Sequence, residues 1–206
     1  EVDELGANSS LKRYLAVLKD VPLERTSSAG GLALFLNAYN AFAVDMVVKN
    51  GVPGSIRDIG SLWKPVWKRT AGSIGGVRFS LDDLEHGTIR HYFSDARIHA
   101  AVNCASVSCP DLREEPYEEE ILEAQLDAQS TRWMANPGKG LVLERSLERV
   151  SLSKIFDWYG GDFVADAGSK LAFAQRHAPS NEAQWLSAHP QAGISYLSYD
   201  WDLNHV

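Results

Sequence analysis

The residues able to do chemistry crowd into one stretch, Ser80 to Pro110, SLDDLEHGTIRHYFSDARIHAAVNCASVSCP. It holds both cysteines, Cys104 and Cys109, three of the six histidines, and Glu85 where a helix would present an apolar residue. A thiol, an imidazole and a carboxylate suit nucleophilic catalysis. The thiolate attacks, a histidine takes its proton, and an acid or amide orients that histidine. Cys104 is the candidate nucleophile and Glu85 the orienting acid, with the loop amides after Cys104 available to a developing oxyanion. The base is either His99 or His86. An extended 99–104 separates His99 from Cys104 by roughly 16 Å, and a helix sets them about 140° apart. His86 escapes that restriction but points about 100° away from Glu85, which would orient His99 more naturally. Both histidines stay in the set.

Two other chemistries use the same residues. His86, His91, His99, Cys104, Cys109 and Glu85 are all metal-ligand types, yet their spacings match neither the His-Glu-x-x-His helix nor paired Cys-x-x-Cys, nor the deaminase signature. No metal and no cofactor is expected. Alternatively the chain is a binding or scaffold module, with Cys104 and Cys109 forming a local disulfide or serving as small buried residues. Gly72 to Gly76 precedes a strand and is no phosphate loop, and no Gly-x-Ser-x-Gly elbow exists.

Around this stretch the elements follow from periodicity. Ser80 with Asp83 three residues on forms a helix N-terminus. Leu81, Leu84, Glu85, Thr88, Ile89 and Tyr92 then share one stripe. An inward carboxylate needs a partner, and an ion pair with Arg90 or Arg97 is the structural alternative to a catalytic role. Residues 97–103, RIHAAVN, alternate as a strand does. Cys104 to Pro110 is then a loop at the strand's end. Upstream, Leu11, Tyr14, Leu15 and Leu18 mark an amphipathic helix ended at Val21-Pro22, with a loop over 26–31.

Residues 32–49 are apolar nearly all round, as in a buried helix. Asn37, Asn40, Asp45 and Lys49 argue against a membrane span. Asn37 and Asn40 share a face and either tie down loops or line the site. A hairpin is predicted over 68–79, turning at Gly75-Gly76, and another over 141–143 and 149–152. Helices are predicted over 116–135, over 153–159 with a stop at Gly160-Gly161, and within 169–188, with a strand over 194–201.

Composition bounds the rest. The 206 residues are 45% hydrophobic and 23% charged with a net charge of -7, an ordinary globular mixture. The acidity argues against a nucleic-acid partner and weakly against an anionic membrane surface. The opening EVDELGANSS is polar and shows no signal peptide, which trimming would also explain. Two cysteines are too few for a disulfide scaffold.

Several motifs together resemble a known family. They are Phe35-Leu-Asn-Ala-Tyr-Asn40, Leu81-Asp-Asp-Leu-Glu-His86, Arg97-Ile-His-Ala-Ala-Val-Asn-Cys104 with Ser108-Cys109-Pro110, Leu152-Ser-Lys-Ile-Phe-Asp-Trp-Tyr159, and Tyr199-Asp-Trp-Asp-Leu-Asn204. In this order they resemble bacterial members of the uncharacterised family called domain of unknown function 547, from about Leu11 to Asn204. No settled activity comes with the resemblance. It stresses Glu85, His86, His99, Cys104, Asn37 and Asn40, and it favours export to the periplasm over a cytoplasmic location. A plant form of the pattern carries serine where Cys109 stands, which favours Cys104 as the reactive thiol. Ala105 stands where glycine is usual, and Ala100 where an aromatic is usual.

The expectation is one α+β domain over 1–206, core 11–204. It is helix-rich with a small, mostly antiparallel sheet, and similar by analogy to papain-type or transglutaminase-type folds. Its expected function is that of a cysteine-dependent hydrolase or acyltransferase, with Asn37, Asn40, Asn103 and Ser108 binding a small-molecule or peptide substrate. No transmembrane segment is expected.

Overall fold

The computed structural model describes residues 4–23, 28–61 and 63–204. Of the loop predicted over 26–31, positions 26 and 27 lie outside the described residues, and from Ser28 the chain is already helical. α1 (Glu4–Leu18) packs against α2 (Ser28–Lys49), the spine of the first core. α2 is buried on most of its circumference, including Leu32, Leu36, Tyr39, Phe42, Met46 and Val47. By length and composition it is apolar enough to cross a membrane, and 67% of its most apolar window is buried inside the fold. Its buried Asp45 is met by Lys49 one turn later at 2.5 Å.

β1 (Thr70–Ile74) and β2 (Val77–Ser80) form the first predicted hairpin, antiparallel and turning at Gly75 and Gly76. Their φ of 56° and 79° are left-handed values that glycine alone adopts freely. Gly72 of β1 lies flat on the Phe42 ring of α2.

The second core is aromatic. Trp133 stacks on Phe156 and Phe156 on Phe163, the last two with centroids 4.1 Å apart, and Phe173 meets Phe156 and Phe163 edge-on. It is built from α5 (Leu122–Ala135), α6 (Ile155–Trp158), α7 (Gly160–Ala167), α8 (Lys170–His177) and α9 (Ser180–Ala188). A sheet of β3 (Leu141–Glu144), β4 (Arg149–Leu152) and β5 (Gly193–Tyr196) closes one side. β3 and β4 are the second predicted hairpin, while β5 joins β4 in parallel. The helix-rich α+β class is as expected, with two small sheets instead of one.

Three local expectations are corrected. Gly160-Gly161 opens α7 instead of stopping a helix, and Pro179 divides the segment 169–188 into α8 and α9. The terminal strand ends at Tyr196, after which the chain crosses back through single bridges, Asp202 to Ser55 and Leu203 to Ser106.

The largest correction concerns 97–103, which is not a strand. After a turn, in which Asp95 Oδ1 accepts the Arg97 N–H at 2.9 Å, Ile98–Ala101 forms the short helix α4. Ile98, His99, Ala100 and Ala101 are all buried, so their alternation held no facial information. Arg97 stays at the rim and pairs with Asp95, Glu123 and Asp127, pinning α4 to α5.

Candidate functional site

The predicted N-terminus at Ser80 forms as a reciprocal cap. Ser80 Oγ accepts the Asp83 N–H at 3.1 Å, and Asp83 Oδ2 accepts the Ser80 N–H at 2.9 Å. The Ser80 hydroxyl also donates to Asp83 Oδ2 at 2.6 Å, and this bond first, then the one from the Ser80 N–H, holds the Asp83 carboxyl below its ordinary range. The helix that follows, α3, is widened. Asp83–Ile89 is π-helical and passes into an α-helical turn, Arg90–Tyr92. π segments occur often at functional sites. The wider turn brings Leu81, Asp82, Glu85 and His86 onto one wall, although an α-helix would divide Glu85 from His86. It also rotates the following turn outward, so Tyr92, predicted inward, is 72% exposed.

That wall faces a pocket of about 410 Å³ between the two cores. Tyr39 of α2, His99 of α4 and Ile155, Trp158 and Tyr159 from α6 and the residue after it complete the floor, and Trp67, Tyr199 and Trp201 close the side. Trp158, Tyr199 and Trp201 pack with centroids 4.5 to 5.6 Å apart, and Trp67 lies 6.0 Å from Trp201.

Glu85 does face inward, as its spacing predicted. Its hydrogen bond comes from a tyrosine, however. Tyr39 Oη donates at 3.2 Å, and Tyr159 lies near enough to feel the Glu85 charge. Burial first, and then the Glu85 charge, push both phenols well above their ordinary range, so they remain donors. The ion pair considered for Glu85 does not form. Arg90 bonds to Asp162 and His86, and Arg97 to its three carboxylates.

His99 is 2% exposed and stacks on Tyr159 at 4.4 Å. Its Nε2 lies 2.8 Å from Asp162 Oδ2. An ionised carboxylate only accepts, so Nε2 carries the hydrogen and any basic lone pair is on Nδ1. The acid that orients His99 is therefore Asp162, not Glu85. Asp162 also takes two bonds from Arg90, at 2.7 and 2.9 Å, and the His99 bond first, then Arg90, hold its carboxyl far below the ordinary range. Arg90 lies over the Tyr159 ring, 4.8 Å from its centroid. His86 is at the mouth, with Nδ1 2.9 Å from Arg90.

Cys104 does not present a free thiol, because it is disulfide-bonded to Cys109, with Cα atoms 6.3 Å apart. Both sulfurs reach the pocket wall. The loop holding them is tightly tied. Asn103 Nδ2 donates to the Pro110 carbonyl at 2.7 Å and its Oδ1 accepts the Ala105 N–H at 2.7 Å. Ala105 adopts φ 64°, a left-handed value that costs an alanine energy. Ser108 Oγ accepts the Asp200 N–H at 2.9 Å. Asn103 and Ser108 thus shape the loop.

Asn40 clamps the same loop from α2, giving Nδ2 to the Ala101 carbonyl at 2.9 Å and taking the Asn103 N–H at 2.8 Å. Asn37 does the same to both backbone groups of Tyr117. Both asparagines line a separate groove with Tyr14, Val44 and Tyr117, not the aromatic pocket. Among the described residues no group of three or more His, Cys, Asp or Glu converges to hold a metal.

Tyr39, Tyr159, Asp162, Tyr199 and Ser106 were not singled out by sequence. The available signal was the density of aromatic residues beside aspartates in Asp157 to Asp162 and in Tyr199 to Asp202.

No curated protein and no solved structure matches the chain, so the papain-type or transglutaminase-type likeness stays an analogy. The family model described as "Protein of unknown function, DUF547" matches residues 23–134. That segment contains Glu85, His86, His99 and both cysteines, and stops before Asp162 and Tyr199. The match spans more than half of the sequence, and the chain belongs to that family.

Proposed function

We propose that the pocket binds a small organic molecule with an aromatic or apolar body and a protonated nitrogen. The observation that carries this reading is Glu85. It is a carboxylate that accepts a hydrogen bond from the Tyr39 phenol, inside an aromatic wall whose lining includes neither lysine nor arginine among the described residues. A carboxylate offers about four lone-pair sites, so most remain for a ligand N–H. The rings of Trp67, Trp158, Tyr199 and Trp201 attract cations and stack on flat groups. A pocket of about 410 Å³ suits a ligand of this size.

Thermal shift and tryptophan fluorescence with benzylamine, benzyl alcohol and benzoate at pH 7 test it. Benzylamine should bind, benzoate should not, and Glu85→Gln should weaken benzylamine at least about tenfold, the loss of one charge-assisted hydrogen bond. Equal binding of benzoate, or unchanged binding by the variant, overturns the reading.

A cysteine-dependent hydrolase or acyltransferase is the second reading, favoured because Cys104 shares one pocket with Glu85, His86 and His99. It requires the reduced protein, since a disulfide sulfur is no acyl nucleophile. An ester probe such as p-nitrophenyl acetate should then give a burst that depends on reductant and is lost in Cys104→Ala. Turnover at the buffer rate by reduced, folded protein removes this reading.

A further inference from the structure

We propose that Cys104 and Cys109 form a thiol–disulfide exchange centre that cycles by two electrons with a small dithiol entering the aromatic pocket. The two sulfurs are unlike. Cys109 is 3% exposed, whereas Cys104 is only part-buried at the pocket wall. An incoming thiolate therefore meets Cys104 first, and Cys109 is the leaving group.

The structure equips Cys109 for that role. The Cys104 N–H donates to its Sγ at 3.1 Å, and the Ser106 and Tyr199 hydroxyls, 2.8 Å from each other, lie 3.3 Å from it and also 3.2 and 3.4 Å from Cys104 Sγ, so their hydrogens are free to turn to the sulfur that becomes charged. A bonded disulfide sulfur accepts hydrogen bonds weakly, while a thiolate accepts them strongly. The donors therefore gain most when the S–S bond opens, which lowers the thiol pKa and improves the leaving group. Tyr199 itself is pushed up to about 12 by burial, so it is a donor throughout the neutral range. The loop ties at Asn103 and Ser108 keep these donors in place whatever the state of the sulfurs.

The exchange balances in two steps. The dithiol's first thiolate attacks Cys104 Sγ. A mixed disulfide forms, the Cys104–Cys109 bond breaks, and its electron pair leaves on Cys109. The Cys109 thiolate takes the proton of the dithiol's second thiol. The resulting thiolate attacks the dithiol's own sulfur in the mixed disulfide and expels Cys104, which takes up the proton released when the first thiolate formed. The dithiol is oxidised to its cyclic disulfide and the two cysteines are reduced to thiols.

This inference concerns the sulfurs and stands apart from the ligand assigned to Glu85. Loss of benzylamine binding would leave it intact. The folded protein is incubated at pH 7 without denaturant with dithiothreitol or with its oxidised form, quenched in acid, alkylated with iodoacetamide and weighed. Both cysteines should become reduced within minutes and reoxidise with the oxidised reagent. Given oxidised glutathione, Cys109→Ser should form a mixed disulfide at Cys104 with release of one reduced glutathione, whereas Cys104→Ser should leave Cys109 unmodified over the same time. Ser106→Ala and Tyr199→Phe should each slow reduction roughly threefold to tenfold and raise the Cys109 thiolate titration, followed by absorbance at 240 nm. Reduction that occurs only in denaturant overturns the proposal. So does preferential trapping at Cys109, or donor variants that reduce and titrate as the wild type does.

Discussion

Asp162→Asn keeps the shape of a side chain on which three charge-assisted bonds converge, and removes its charge. Arg90 gives two of them, at 2.7 and 2.9 Å, and His99 the third, at 2.8 Å. An asparagine accepts through one atom only. Its amide turns two hydrogens toward groups that are themselves donors, so at least one bond is lost and one donor is left facing another. Hydrogen bonds to charged groups contribute about 1.5–3 kcal/mol each when buried. The Asp162 side chain is 29% exposed, so water replaces part of what is lost. The expected cost is about 2–3 kcal/mol at pH 7, or roughly 4–12 °C in Tm for a chain of this size.

The pH dependence carries the sign. Asp162 is held below the usual carboxylate range by His99 and then by Arg90. Such a group adds stability that is complete above its unfolded pKa, about 4, and is lost as pH falls toward the folded value. Urea unfolding of both proteins should therefore differ by a constant amount above about pH 5, with the gap closing below about pH 4. A variant as stable as the wild type at pH 7 would refute this account, and so would a gap unchanged at low pH.

Three further outcomes follow from packing and covalent structure. Gly72→Ala places a methyl inside the Phe42 ring and should cost about 1–3 kcal/mol by thermal melt, since the hairpin cannot retreat from α2 without losing contacts. Asn40→Ala strands the Ala101 carbonyl and the Asn103 N–H; it should cost about 2–4 kcal/mol and expose the cysteine loop to hydrogen exchange ahead of the rest. The double substitution of Cys104 and Cys109 by serine should lower stability by about 2 kcal/mol, the chain entropy of so short a loop, and urea melts of that variant should be insensitive to reductant.

Two local features of the pocket wall were legible in the sequence. The cap at Ser80 and the inward turn of Glu85 are local consequences of residue type and spacing, and both formed. The apolar circumference of residues 32–49 gave the central helix, and Gly75-Gly76 its hairpin, because periodicity and left-handed turns are written within a few residues of themselves. The strand over 97–103 failed for a related reason. Alternation reports a face only where the other face meets water, and every residue of α4 is enclosed.

What tertiary structure alone decided is pairing. Nothing in the order of residues says that Glu85 meets the hydroxyl of Tyr39, or that His99 is held by Asp162 from a later helix. Nor does it say that Tyr199 closes over a sulfur pair fixed far earlier in the chain. Residue types and their local geometry are set by the sequence within a helical turn or a hairpin. Which buried polar group satisfies which other is set when two cores close on each other and exclude the water that would otherwise have done so.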